Sequence, residues 1–142
     1  MNVTQLVANL NDLLNSTDIV EVAGVNPVAA QLVMLKVRQE ATFNVGIYKV
    51  EALTPLLLEL LSLKPLLSDP VSAFRLYRST FEGYRVVGIT DYDALQDRPM
   101  IADEIVRAIL GDGDRKLVIF HQGKSRHTFP ACYIHACLDI NR

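Results

Sequence analysis

The chain predicts an α+β domain, a mixed or antiparallel sheet with hairpins, packed by about three helices. Three observations carry that expectation. Apolar and polar residues alternate with period two from residue 33 to residue 47. Turn residues at Phe81-Glu82-Gly83 and at Gln122-Gly123-Lys124-Ser125 separate pairs of strand-like runs. Three further segments carry helical spacing or helix-start chemistry. The 142 residues fit one domain, 1–142, without linker or repeat.

The first helix spans residues 4–15, with Thr4 or Asn2 as its cap. Leu6, Val7, Leu10, Leu13 and Leu14 form its apolar stripe, and Gln5, Asn9 and Asp12 face outwards. Residues 19–23 read as a short strand, closed by Gly24 and Asn26-Pro27. Residues 28–50 admit two readings. Asn26-Pro27 is a good helix start, which would give a helix over 28–40. Against it, Val33, Leu35, Val37, Ala41, Phe43, Val45 and Ile47 recur at alternate positions. The expectation is therefore one long strand, or two with a bend near Gln39-Glu40, long enough to pair with a neighbour.

Thr54-Pro55 starts the next helix, a capping hydroxyl followed by proline at the first helical position. Leu56, Leu57, Leu58, Leu60, Leu61 and Leu63 cover nearly every side of it. A helix apolar all round needs a partner on its second side, which predicts a subunit interface. Residues 74–79 and 84–90 read as a hairpin, and 91–97 as a polar loop. A helix over 100–110 follows, capped by Asp97 and stopped by Gly111. Residues 117–121 and 128–140 form the last hairpin. In it Ile134, Ala136, Leu138 and Ile140 share one face, and His135, Cys137 and Asp139 the other.

Composition excludes several function classes. A net charge of −2 gives no electrostatic case for nucleic acid or anionic membrane. No apolar run is long enough to span a bilayer, and the first residues lack a secretory signal. The two cysteines, Cys132 and Cys137, read as buried free thiols of a reducing compartment. The expected location is the cytoplasm, or a virion component in a host cytoplasm. The 50% hydrophobic content favours oligomerisation.

Candidate chemistry is sparse. His121, His127 and His135 invite a zinc reading with the two cysteines, but no close ligand pair occurs in a turn. Asp91 and Asp93 share a loop after a strand, where carboxylates hold Mg²⁺ beside a phosphate substrate. With His121 or His135 they support an alternative reading, a small metal-dependent hydrolase or nuclease. Asp112 and Asp114 offer a second pair, in a segment where aspartate is ordinary turn chemistry. Gly123-Lys124-Ser125 lacks the earlier glycine and following helix of a phosphate loop. No catalytic residue, metal ligand or cofactor is assigned.

The order of elements resembles that of tailed-phage tail terminator and tail-completion proteins. It is carried by the helix at 4–15, the hairpin at 74–90, the helix at 100–110 and the closing strand at 128–140. The resemblance implies a small α+β subunit that forms rings capping the tail tube. It brings no motif, so no functional residue is transferred. The expectation is a non-enzymatic structural subunit of a homo-oligomeric assembly. Its partners would be copies of itself and other proteins, not a membrane or nucleic acid. The expected interface residues are Leu57, Leu58, Leu61, Val45 and Ile47.

Overall fold

A computed structural model of the chain describes residues 2–63, 75, 77–111, 115–123 and 129–140, with the side chains of 60–63 outside the description. Its strands are β1 (Ile19–Ala23), β2 (Val45–Tyr48), β3 (Val86–Ile89), β4 (Lys116–His121) and β5 (His135–Asp139). Its helices are α1 (Val3–Leu14), α2 (Pro27–Glu40), α3 (Val50–Leu63) and α4 (Pro99–Leu110), with a 3₁₀ turn at Tyr92–Leu95. The strands form one sheet in the order β2-β3-β4-β1-β5, and every pairing is parallel. The architecture is α/β, not the expected α+β layout of hairpins.

The reason lies in the strands themselves. A parallel sheet is covered on both faces, so its strands read as apolar runs rather than as alternation. Leu117 to Phe120 is such a run, and Val86-Val87-Gly88-Ile89 another. β1 and β3 are buried at every position. Parallel neighbours cannot be joined by a tight turn. The expected hairpin at 74–90 is replaced by helical residues at 77–79 and by β3, which lies between β2 and β4. The expected last hairpin is also absent, because β1 lies between β4 and β5.

Residues 28–50 are a helix followed by a short strand. The Asn26 side chain accepts a hydrogen bond from the Ala29 amide at 2.9 Å, and Pro27 opens the helix. Ala30, Val33, Met34 and Val37 then fall on one buried helical face. The cap at Asn26 and this face override the alternation that favoured a long strand. At the N-terminus of α1, Asn2 and Gln5 form a reciprocal capping box.

From β1 the chain crosses to the far edge at β2, then steps back through β3 and β4. Right-handed crossovers therefore put α2 on one face and α3 and α4 on the other. The packing follows that rule. Leu6, Leu10, Val33 and Met34 of α1 and α2 cover Val20, Val22, Val118 and Phe120. Leu53, Leu57, Ile105 and Ile109 of α3 and α4 cover Ile19, Val87, Leu117 and Ile119. α2 approaches the sheet closely at Gly88, where an added Cβ would lie 2.6 Å from Met34 Cε.

Candidate functional site

In open α/β sheets, ligands bind beyond the carboxyl ends of the strands. There the apolar logic of this sheet breaks. Successive residues of a strand face opposite ways, so Glu21 shares the face of Ile19, and His121 that of Leu117 and Ile119. Both polar side chains are buried, Glu21 at 2% and His121 at 4% exposure. The 3₁₀ turn after β3 brings Tyr92 and Asp93 to the same place.

These residues form one connected group. Asp93 Oδ1 lies 3.1 Å from His121 Nδ1, and Asp93 Oδ2 accepts the Gln122 amide at 2.8 Å. Glu21 Oε1 lies 3.7 Å from His121 Nε2, an ion-pair distance longer than a hydrogen bond. Glu21 Oε2 lies 3.5 Å from His135 Nε2. The Tyr92 ring meets His121 edge-on, with centroids 5.3 Å apart. One buried carboxylate on β1 thus stands between an imidazole on β4 and an imidazole on β5.

Electrostatics holds the group together. Burial lowers the pKa of His121 by disfavouring the cation. The interactions with Glu21 and Asp93 favour the cation and outweigh that effect, so the net direction is upward. Burial also pushes the Tyr92 hydroxyl up, and the nearby Asp103 and Glu21 carboxylates add to it. A protonated His121 neutralises a carboxylate that would otherwise be costly inside the sheet.

The sequence-predicted residues divide here. Asp93, His121 and His135 converge, but through Glu21 and not across a hairpin. Asp91 takes another role: its Oδ1 accepts the Val50 amide at 2.9 Å, so it caps the N-terminus of α3 from outside the helix. The helix consequently starts at Val50 rather than Thr54, whose hydroxyl donates back to the Val50 carbonyl at 2.6 Å. Among the described residues, no group of three or more His, Cys, Asp or Glu could hold a metal ion. Cys132 and Cys137, expected to be buried, are both exposed and unbridged. Asp112, Asp114, Lys124, Ser125 and His127 lie outside the described residues. Sequence reasoning missed Glu21, although its signal was present: a lone carboxylate inside the run Ile19-Val20-Glu21-Val22-Ala23.

The expected interface residues also divide. Leu57 is buried in the core, and Leu58 is exposed. Leu61 lies in α3 with its side chain outside the description. Val45 is buried, and Ile47 is partly buried against the α1–α2 side of the sheet. No helix among the described residues is long and apolar enough to cross a membrane.

The crevice beyond β1 and β4 is closed by the chain itself. The Gly24 and Val25 amides both donate to the His121 carbonyl, at 2.8 and 3.0 Å. Gly24-Val25-Asn26-Pro27 contains neither the glycine spacing nor the lysine of a phosphate loop.

No protein-family model matches the sequence, and no curated protein matches it. Among solved structures, the chain is similar to a Pif1 helicase from work on DNA unwinding at forked double-stranded DNA, with 12% identity and a TM-score of 0.50. The match covers 92% of this chain and 35% of the helicase chain, so this chain spans about a third of that protein's length. The likeness concerns the α/β fold.

Proposed function

We propose that this chain is a non-enzymatic subunit of a homo-oligomeric assembly, working through protein contacts in the cytoplasm. The observation that carries this reading is the apolar surface left over once both core layers are filled. Val28 is 74% exposed and Leu32 56%, one turn apart on the outward side of α2. Leu56 and Leu58 are exposed on α3, Met100 on α4, and Ile134 precedes β5. Apolar surface of this kind on a small domain favours protein partners. The polar group spanning β4, β1 and β5 supports the same reading. Its buried members engage one another, and Asp91 is committed to the α3 terminus.

The likeness to a helicase supplies the fold, and the net charge of −2 gives no reason to add nucleic acid as a partner. The phage-tail form of the assembly reading rested partly on the hairpin at 74–90. That hairpin is replaced by a helical segment and a parallel strand, so the narrower form is not carried forward. The two unbridged cysteines fit a reducing cytoplasm.

Light scattering after size-exclusion chromatography, over a range of salt, tests the proposal. The expected result is a defined multiple of the chain mass of 15.8 kDa. A strict monomer up to about millimolar concentration would overturn it.

A further inference from the structure

A cleft of about 330 Å³ separates α4 from the segment that leads into β5, lined by Asp103, Val106, Arg107, Phe129, Pro130 and Tyr133. That volume lies at the small end of the range for small-molecule sites, about 300–1,000 Å³. Both walls are fixed by the fold. On the helix side Val106 is buried in the core, and Arg107 follows it at the exposed rim. On the other side the turn at 130–133 is closed by the Tyr133 amide, which donates to the Pro130 carbonyl at 3.2 Å. Ile134 then pins this turn to the start of β1. Its amide donates to an Asp18 carboxylate oxygen at 2.8 Å, and its carbonyl accepts from the Asp18 and Ile19 amides at 2.7 and 3.1 Å. The Phe129 ring lies against the His135 ring, with centroids 5.0 Å apart. The cleft is therefore a built surface, with two aromatic rings on one wall and a guanidinium on the other.

We infer that this cleft binds a small organic monoanion, a carboxylate carried on a planar ring. The inference goes beyond the assembly reading and does not depend on it. The Arg107 guanidinium supplies the charge. It carries five N–H donors, and its ion pair among the described residues is with Glu104 at 3.6 Å, on a side chain 64% exposed. An exposed pair of that length is weak. The guanidinium is therefore available to a carboxylate in the cleft, which it grips by two parallel hydrogen bonds. The rings of Phe129 and Tyr133, with Pro130 beside them, give flat apolar contact to a planar ligand. Burial keeps the Tyr133 hydroxyl protonated, so it remains a donor at neutral pH. The single charge of the ligand follows from the surroundings. Asp103 lines the same cleft, and Glu104 stands beside Arg107. Their carboxylates repel a dianion, such as a phosphate monoester, more strongly than a carboxylate.

The test titrates the full chain with indole-3-acetate, followed by calorimetry and by amide NMR. The expected result is saturable binding with a Kd of about a millimolar or tighter. The Val106 and Tyr133 amides should shift, and that of Val118, which packs on the other face of the sheet, should not. Neutral indole-3-acetamide and the dianion phenyl phosphate should each bind the wild-type chain roughly tenfold more weakly or worse. Arg107→Gln should weaken indole-3-acetate binding by a similar factor, and Arg107→Lys by less. Arg107 is exposed, so the fold is retained, which circular dichroism checks. Absence of saturable binding up to about ten millimolar overturns the site. So does an amide that binds as tightly as the acid, or a folded Arg107→Gln chain that binds the acid as well as wild type.

Discussion

The sharpest test of the polar group is Glu21→Gln, which keeps the volume and removes the charge. In the wild type the Glu21 carboxylate lies 3.7 Å from His121 and 3.5 Å from His135, with Glu21 and His121 both buried. At an effective dielectric of about 20, the contact with a protonated His121 is about 4–5 kcal/mol of bare attraction before desolvation is subtracted. Removing one partner of a buried pair costs about 3–5 kcal/mol, because the other charge is left uncompensated. That is a large share of a total stability of about 5–15 kcal/mol. It corresponds to a fall in Tm of roughly 10 °C. The cost should depend on pH with a definite sign. The folded-state pKa of His121 is raised. Its stabilising contribution is therefore complete below the ordinary histidine pKa of about 6.5, and is lost as pH rises through the higher folded value. Glu21→Gln removes part of that contribution, so the gap between variant and wild type should be widest near pH 6 and narrow towards pH 9. Urea unfolding at several pH values measures the gap, and histidine NMR titration should show His121 titrating at lower pH in the variant. Equal stability at pH 6, or a gap that widens with pH, would refute the ion-pair account.

Two further substitutions probe the packing around the site. Asp91→Ala removes the outside cap of α3 and should cost about 1 kcal/mol in urea unfolding, whereas Asp91→Asn should retain most of it. An alanine variant as stable as wild type would show that the 2.9 Å bond to Val50 contributes nothing. Gly88→Ala places a methyl against Met34, and overpacking of this kind costs about 1–3 kcal/mol. Met34→Ala in the same chain should recover part of that loss if the clash is the cause, a coupling read from a double-mutant cycle.

The buried face of α1 was legible in the sequence, but the fold class was not. Leu6, Leu10 and Leu14 marked the buried side of α1, and Gly111 the end of α4. The start of α2 was also written, at Asn26-Pro27, but the chance alternation of Val33, Leu35 and Val37 outvoted it. Strand partners were harder. Continuous apolar runs such as Leu117 to Phe120 show burial on both faces, and so favour a parallel sheet. They do not say which strand lies beside which. The turn-like residues between β4 and β5 gave a local signal for a hairpin, while the real neighbour of both strands is β1, about a hundred residues earlier. Pairing over that distance is decided by the whole sheet, not by the connecting segment.

That misplacement also hid the site. With β4 and β5 joined as a hairpin, His121 and His135 face each other, and Glu21 belongs to an unrelated strand. With β1 between them, the three side chains share one face on a diagonal, His121 opposite Ala23 and His135 opposite Ile19, and Glu21 becomes the centre. A carboxylate in a central strand is costly unless each neighbouring strand supplies a partner. Here both do, and Asp93 holds the buried imidazole from its other side. The charge pattern therefore acts as a register key. If β4 or β5 slipped by one residue against β1, its imidazole would turn to the opposite face and leave Glu21 short of a partner. This supplies a reason for a buried charge on β1 without any catalytic role. It also predicts that Glu21→Gln loosens the β5 edge before the core: hydrogen exchange at the Ile140 amide should accelerate more than at Val118 in the middle of β4.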